Sequence, residues 1–209
     1  MPAAAAEERQ VAYVFGYGSL VELIQPLVVA GRLFPAVPGH LRGFRRNWGV
    51  TMNNWEASAD EKHFVDPESG LKPTLAVAYL DLEEAPAEAV NGLAIPVDAA
   101  RLRELDAREI NYERAEVSAA FEPALAHTVF VYRGTAAARQ RSRAGADGIE
   151  IYASRQYIER IERAFTALGP GQLDEYQRTT EPLPFPVREL EPRYPVTTGA
   201  PDAPDLSSR

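Results

Sequence analysis

The clearest periodic pattern in the chain is a stripe of apolar residues between positions 154 and 168. These residues recur every three or four positions, which places them on one face of an α-helix. Gly169 and Pro170 follow directly, and both are residues that commonly end a helix. The pattern therefore predicts a helix over 154–168, whose stripe consists of Tyr157, Ile158, Ile161, Phe165 and Leu168.

Two further helices are predicted in the first half of the chain. Over residues 99–109, leucines stand at helical spacing, and Asp98 precedes them as an N-cap residue. A short helix is also predicted over 20–29, although Pro26 lacks the N–H group that an uninterrupted helix requires.

Runs rich in β-branched and aromatic residues predict the strands. The first run, 11–16, is apolar throughout and ends in a glycine-rich turn. In 41–52, aromatic and β-branched residues are mixed with Arg and Gly, so we expect an irregular strand. The remaining strands are predicted over residues 74–82, 92–97, 112–121 and 128–132.

The order of these elements predicts the fold class and the domain boundaries. Strands and helices follow one another without strict β-α-β alternation, which is typical of an α+β fold. A chain of 209 residues is expected to form one domain. We place this domain at residues 11–182, between a disordered N-terminus at 1–10 and a proline-rich C-terminal tail at 183–209. Residues 53–73 are rich in turn-forming residues and are expected to form a surface excursion.

Composition excludes several classes of function. The chain has no cysteine, so disulfides, thiolate nucleophiles and cysteine-ligated metal centres are excluded. The formal net charge is −8, and an acidic protein is poorly suited to bind nucleic acid or an anionic membrane. The pair Arg45 and Arg46 is accordingly interpreted as a solvated edge.

No metal site is expected, because His40, His63 and His127 lie far apart without paired ligands. No other cofactor is expected either.

The N-terminus shows no targeting signal. Its first ten residues lack the basic region and the long apolar core of a signal peptide. No run of about 18 apolar residues occurs, so no membrane-spanning helix is predicted. Together with the lack of cysteine, these features favour a cytoplasmic location. The sequence does not predict an oligomeric state.

A glycine-containing loop with the sequence FGYGSL follows the first predicted strand. It is not a dinucleotide-binding loop, because the third glycine of G-x-G-x-x-G would fall at Val21. It is not a serine nucleophile elbow, since G-x-S-x-G would require glycine at Tyr17 and Val21. Two interpretations remain: a plain tight turn, or a turn whose backbone N–H groups are accessible to an anion.

Glu109 and Tyr157 are the other candidate functional residues. Glu109 stands where a predicted helix gives way to a strand, between Leu105 and Tyr112, which places it near the apolar side. A carboxylate there would have a raised pKa and could act as a base near neutral pH, whereas most acids at helix ends are solvated charges. Asp106 is either its partner or part of the helix surface. Tyr157 begins the apolar stripe, where most tyrosines are core residues.

Taken together, these features resemble the γ-glutamylcyclotransferase superfamily, including its AIG2-like and ChaC-like branches. The match consists of VFGYGSL at 14–20, the LD-x-x-E element at 105–109 with the nearby Tyr112, and Tyr157 near the start of a helix. It extends over residues 11–180. The resemblance implies a small mixed β-barrel surrounded by helices.

The resemblance also implies an activity and residue roles. The protein would cleave a γ-glutamyl amide by attack of the substrate's own α-amine, releasing 5-oxoproline and an amine or peptide without any cofactor. Glu109 would be the catalytic acid and base. The substrate would be bound by the loop residues Tyr17, Gly18, Ser19, Leu20 and Val21, and by Tyr157.

The sequence departs from the family pattern in two places. Ile110 stands where many members have glycine after the catalytic acid, and 53–73 matches no identifiable substrate-binding segment. The leaving group therefore stays open among glutathione, a γ-glutamyl amino acid, a γ-glutamyl amine on lysine and a biosynthetic intermediate. Two alternative functions also stay open: a non-catalytic binding protein of the same fold, and a γ-glutamyl amide hydrolase that attacks with water.

Overall fold

The structure of the protein is a computed structural model that describes residues 11–55, 62–144 and 148–194. The predicted disordered N-terminus at 1–10 and the end of the predicted tail lie outside the described residues. Among the described residues, no helix combines the length and the apolar character that a membrane span requires.

A mixed sheet of eight strands forms the centre of the described fold and curls into a half-barrel. Two smaller sheets of two strands each lie beside it. The eight strands are β1 Ala12–Gly16, β4 Val37–Asn53, β6 Ala76–Val97, β7 Tyr112–Glu116, β8 Phe121–Glu122, β9 Val129–Gly134, β10 Ile151–Ser154 and β11 Val187–Arg188. The smaller sheets pair β2 Leu27–Val29 with β3 Arg32–Phe34, and β5 His63–Val65 with β12 Glu191–Arg193.

Four α-helices surround the sheet in the described part of the chain. They are α1 Ala99–Arg108, α2 Ala136–Ala144, α3 Arg155–Ala167 and α4 Gln172–Arg178, and a short 3-10 helix covers Ser19–Glu22. The α+β class predicted from the sequence is confirmed, and the predicted barrel is an open half-barrel.

The antiparallel pair of β4 and β6 determines how the sheet bends. The two strands pair from Val37 opposite Ala94 to Asn53 opposite Ala76, with register shifts between Arg42 and Phe44 and between Asn47 and Val50. Such bulges increase local twist and bend a strand, which curls the sheet. The irregular strand predicted over 41–52 is therefore confirmed.

The predictions for α1 and α3 are confirmed, and so is the predicted N-cap Asp98. Asp98 accepts a hydrogen bond from the backbone N–H of Arg101 at 2.8 Å, and Ser154 accepts one from Tyr157 at 3.4 Å. Along α3, Ile161 and Phe165 are fully buried, as the apolar stripe predicted.

Two predicted elements are wrong. Residues 20–29 do not form an α-helix: the 3-10 helix ends at Glu22, and the chain is extended from Leu27. Pro26 cannot donate to a helical hydrogen bond, and the β-branched residues after it favour a strand. The strand predicted over 112–121 ends at Glu116, where the chain enters a turn.

The strands predicted over 74–82 and 92–97 are parts of one strand, β6. Its middle section contains Glu83, Glu84, Pro86 and Glu88, and much of this section is exposed. The apolar alternation that predicts a strand is missing there because the strand passes through solvent at the edge of the half-barrel.

Part of the predicted tail packs against the domain. Leu190 is fully buried beside Met52, Phe64, Leu75 and Val77. The flanking strands β11 and β12 pair with β10 and β5. Through β5, the predicted surface excursion at 53–73 contributes to the same small sheet. The domain boundary at residue 182 stays a prediction.

Arg46 was interpreted as part of a solvated edge, and this interpretation is wrong, since its side chain is fully buried. Its guanidinium donates to the backbone O of Tyr176 at 3.3 Å and to the hydroxyls of Thr179 and Thr180 at 3.2 and 3.0 Å. It also donates to the backbone O of Asn91 on β6. One cation therefore ties α4 and the segment after it to the central sheet.

Two aromatic rings enclose the same guanidinium. Its central carbon lies 4.7 Å from the ring centroid of Tyr176 and 5.3 Å from that of Phe165 on α3. Burial lowers the pKa of Arg46 to about 10, which indicates that holding the charge inside the protein is costly. The hydrogen bonds and the cation–π contacts offset this cost.

We predict that Arg46→Met lowers the free energy of unfolding by about 3–5 kcal/mol, because it leaves buried carbonyl and hydroxyl acceptors unpaired. The neighbouring Arg45 is a matched control, since its side chain is 36% exposed and pairs with Glu83. Arg45→Met should cost no more than about 1 kcal/mol. Urea unfolding of both variants measures the difference, and equal losses would show that the buried contacts do not stabilise the fold.

Candidate active site

A cavity of about 490 Å³ opens where the end of α1, the loop after β1 and the start of α3 meet. This volume lies within the range of small-molecule sites, roughly 300–1,000 Å³. Aromatic side chains, one carboxylate and several cations line it. The lining residues are Ser19, Met52, Lys62, Tyr79, Arg108, Glu109, Ile110, Asn111, Tyr112, Tyr157, Arg160 and Tyr194.

Glu109 is the carboxylate of this cavity and follows the last residue of α1 as its C-cap. Its backbone N–H donates to the O of Leu105 at 2.9 Å, and its backbone O accepts from the N–H of Tyr112 at 2.8 Å. Two hydrogen bonds therefore fix the backbone from which the side chain projects. The side chain is 16% exposed, and Arg108 Nε lies 3.3 Å from its Oε1. The carboxylate is neither fully solvated nor fully buried.

Three tyrosines interact electrostatically with this carboxylate. Burial is the main cause that raises the pKa values of Tyr17, Tyr112 and Tyr157, and the negative charge of Glu109 raises each of them further. Their hydroxyls therefore stay protonated at neutral pH and act as hydrogen-bond donors.

The backbone N–H and O of one residue of β6, Leu80, position two of these hydroxyls. The N–H of Leu80 donates to Tyr157 Oη at 3.4 Å, and the O of Leu80 accepts from Tyr112 Oη at 2.8 Å. Both backbone groups point away from β4, because backbone groups alternate sides along a strand and the N–H of Ala76, four residues earlier, bonds to Glu150 on that other side. Since Tyr157 Oη accepts from Leu80, its own hydrogen remains to be donated to another group.

The loop after β1 approaches Tyr157 at Gly18. A Cβ at Gly18 would lie 3.5 Å from Tyr157 Oη and 3.3 Å from Leu80 Cδ1. Any larger side chain at this position would therefore compete for space with the tyrosine. Ser19, the next residue, lines the cavity together with Glu109.

The other loop residues of the predicted site have structural contacts. Tyr17 is buried, and its hydroxyl donates to the backbone O of Tyr132 at 2.8 Å. Leu20 and Val21 are buried in the main core, and the N–H of Val21 donates to the O of Gly18 at 3.0 Å. The structure therefore places Ser19, Glu109 and Tyr157 at one cavity with Gly18 beside them, while the side chains of Tyr17, Leu20 and Val21 lie in the core behind.

Asp106 does not accompany Glu109. Its carboxylate accepts from Arg114 Nη1 and from Tyr132 Oη, each at 2.7 Å, on the outer face of the half-barrel. Of the two alternatives for Asp106, the structure therefore agrees with a position on the helix surface.

The cationic side of the cavity was not predicted from the sequence. Arg160 follows Tyr157 by three residues in α3, so the helical repeat was a signal that both lie on one face. Lys62 and Tyr194 come from segments far apart in sequence, and no local pattern links them to the site. Among the described residues, no group of three His, Asp or Glu side chains is arranged to hold a metal ion.

No protein-family model and no curated protein matches the sequence. Solved structures do match the fold. A structure described as gamma-glutamyl cyclotransferase shares 15% identity over 86% of this chain and 94% of its own, with a TM-score of 0.51. An uncharacterized protein from Homo sapiens shares 15% identity with the same coverage and a TM-score of 0.50.

These likenesses define the class of fold. It is an α+β fold in which a curled mixed sheet carries helices on its outside. More particularly, it is the fold of the γ-glutamyl cyclotransferase structures, as the sequence resemblance implied. At this level of identity the comparison establishes the fold alone.

We predict that Tyr17→Phe makes stability less sensitive to alkaline pH. Because burial raises the pKa of Tyr17, its hydroxyl stays neutral in the folded protein while the unfolded chain ionises near pH 10. The stability that this group contributes is present below that pH and is lost as the pH rises above it. Between about pH 9 and pH 11, the variant should lose about 1.4 kcal/mol less unfolding free energy than the wild type.

Urea unfolding at both pH values provides the measurement. Phe121→Leu is the control, since it disturbs the buried core without removing a titratable group. It should lower stability equally at both pH values. A Tyr17→Phe protein with the pH dependence of the wild type would contradict the prediction.

Proposed function

We propose that the protein is a γ-glutamylcyclotransferase-type enzyme that releases 5-oxoproline and an amine or peptide from a γ-glutamyl amide. The observation that supports this proposal best is the placement of the Glu109 carboxylate in one cavity with Ser19 and Tyr157. A carboxylate and hydroxyl donors are the groups that this reaction requires.

The substrate carries its own nucleophile. The α-amine of a γ-glutamyl group can reach the γ-carbonyl carbon to close a five-membered ring. Holding reacting groups in such a geometry is worth roughly 7–11 kcal/mol in well-oriented intramolecular reactions. The cavity therefore has to fold the chain of the substrate back on itself and move protons. Neither a metal nor a thiolate is required.

Glu109 has two tasks in the proposed reaction. It accepts a proton from the α-ammonium, so that the free amine attacks the γ-carbonyl carbon and forms a C–N bond. It then returns that proton to the nitrogen of the departing amine as the original amide bond breaks. The ring nitrogen also loses its second proton to the departing amine, so the products are 5-oxoproline and the amine in its ammonium form, and the carboxylate ends in its starting state.

The remaining polar groups bind the substrate and stabilise the charge that develops during the reaction. In this proposal, backbone N–H groups of the loop at Gly18 and Ser19 stabilise the negative charge that develops on the γ-carbonyl oxygen. Tyr157 is held by Leu80 with its hydrogen free to donate, which suits a contact with an oxygen of the substrate. In this proposal Tyr17, Leu20 and Val21 contribute by fixing the conformation of the loop from the core side.

We predict that Glu109→Gln reduces turnover at least about a hundredfold while substrate binding and stability stay close to those of the wild type. The substitution keeps the shape of the side chain and removes the base, whose contribution is typically 10²–10⁴-fold. Asp106→Asn is the matched control, because this residue lies on the same helix and pairs with Arg114 outside the cavity. A Glu109→Gln enzyme within about tenfold of wild-type turnover, or about 1.4 kcal/mol, would exclude Glu109 as the base.

We also predict that a γ-glutamyl compound with an acetylated α-amine is not cleaved, even at saturating concentration. Acetylation removes the nucleophile of a cyclotransferase, whereas a hydrolase attacks with water and needs no substrate amine. Competition with the unmodified compound shows whether the acetylated compound binds. Release of its amine would contradict cyclisation and favour hydrolysis, and an unmodified panel that binds without any release would indicate a binding protein.

A further inference from the structure

The mouth of the cavity is built by residues from three separate segments. Lys62 precedes β5, Arg160 lies on α3, and Tyr194 follows β12. The Lys62 ammonium lies 5.8 Å from the ring centroid of Tyr194 and 5.1 Å from that of Tyr79. All four side chains line the cavity that holds Glu109.

Tyr194 is held at this mouth by the ordered end of the described chain. Strand β12 pairs with β5, so that Arg193 lies opposite His63. Just before β12, Leu190 is fully buried, and its backbone O accepts from the hydroxyl of Ser154 at 3.1 Å. The main chain that carries Tyr194 is therefore anchored on two sides, although its ring is 58% exposed.

The mouth lies within reach of a short leaving group from the position proposed for the γ-glutamyl group. The ring centroids of Tyr79 and Tyr157 are 4.9 Å apart, so the Lys62 ammonium is within about 10 Å of the Tyr157 ring. A peptide chain spans at most about 3.6 Å per residue. A leaving group of one or two amino acids would therefore place its terminal carboxylate near the mouth.

Among the described residues, the charges at the mouth are predominantly positive. Lys62 and Arg160 both face this part of the cavity, and the pair of Arg108 with Glu109 lies on the wall formed by α1. Glu22 binds Arg160 through Nε and Nη2. A guanidinium has five N–H donors, so this contact does not use all of its capacity.

We infer that Arg160, Lys62 and Tyr194 form a leaving-group subsite that selects γ-glutamyl compounds whose departing amine carries a carboxylate. This inference rests on the proposed function, and it narrows the substrate class to γ-glutamyl amino acids and peptides over simple γ-glutamyl amines. The cations bind the carboxylate, and the ring of Tyr194 covers the stem of the leaving group. Tyr194 and the cations act on specificity, while Glu109 performs the proton transfers.

Two probes that differ only in the carboxylate test the subsite. γ-Glutamyl-alanine and γ-glutamyl-ethylamide share the γ-glutamyl group and the carbon skeleton up to the missing carboxylate. Calorimetry on Glu109→Gln gives the ratio of their dissociation constants without turnover, and 5-oxoproline release by the wild type gives the ratio of kcat/KM. We expect both ratios to favour γ-glutamyl-alanine by about tenfold or more, the usual effect of a hydrogen bond to a charged group.

Variants that change the preference in opposite directions distinguish a charge effect from a structural one. Arg160→Gln should reduce the preference for γ-glutamyl-alanine to less than about threefold, because it removes a cation. Glu22→Gln should increase the preference, since it removes the competing carboxylate from Arg160. Arg163→Gln is the matched control: it lies one turn further along α3, pairs with Glu159 and does not line the cavity. It should leave the preference unchanged.

Salt and Tyr194 provide two further readouts. The preference of the Glu109→Gln protein should fall as NaCl is raised from about 0.05 to 0.5 M, because salt screens ion pairs at an exposed mouth. Tyr194→Ala should weaken the binding of γ-glutamyl-alanine more than that of the ethylamide. Both measurements use the Glu109→Gln background, in which binding is separated from turnover.

The outcomes separate the inference from the proposed function. Equal affinity for the two probes, or a preference that Arg160→Gln does not reduce, would overturn the subsite even if both probes released 5-oxoproline. Release of 5-oxoproline from neither probe would overturn the proposed function, while the ratio of dissociation constants would still decide whether the carboxylate is recognised.

Discussion

The backbone of Leu80 is the feature on which the site depends. Its N–H and O point away from β4, on the side of β6 where the pairing with β10 ends at Ala78. These two backbone groups therefore bind the hydroxyls of Tyr157 and Tyr112. Opposite Leu80, Trp48 and Gly49 form a bulge of β4, and such a bulge bends the sheet.

Arg46 lies two residues before this bulge and holds α3 and α4 against the sheet. Its buried guanidinium binds Asn91 of β6, the end of α4 and the aromatic face of Phe165 on α3. Since α3 carries both Tyr157 and Arg160, the packing of this cation helps determine where the cavity wall stands. The sequence suggests a solvated arginine here because a buried cation is rare and has no local signature.

Much of the fold and part of the site follow from local patterns. The helix stripe ending at Leu168, the cap at Asp98 and the apolar first strand are all consequences of short-range rules, and the structure agrees with them. The exposed middle of β6 follows no such rule, because solvent on both sides removes the alternation. Tyr194 could not be connected with Glu109 at all, since only the tertiary pairing of β5 with β12 brings its segment to the cavity.

The distribution of charge around the cavity implies an orientation for its ligand. Glu109 stands at the C-terminal end of α1, where the helix dipole contributes about half a negative charge, so carboxylate and helix end together attract a cation. Lys62 and Arg160 line the same cavity and attract an anion. A molecule with an ammonium group at one end and a carboxylate at the other is therefore aligned before any specific hydrogen bond forms. A γ-glutamyl amino acid has this arrangement, and in this orientation its α-amine lies against the only carboxylate lining the cavity in the described part of the chain.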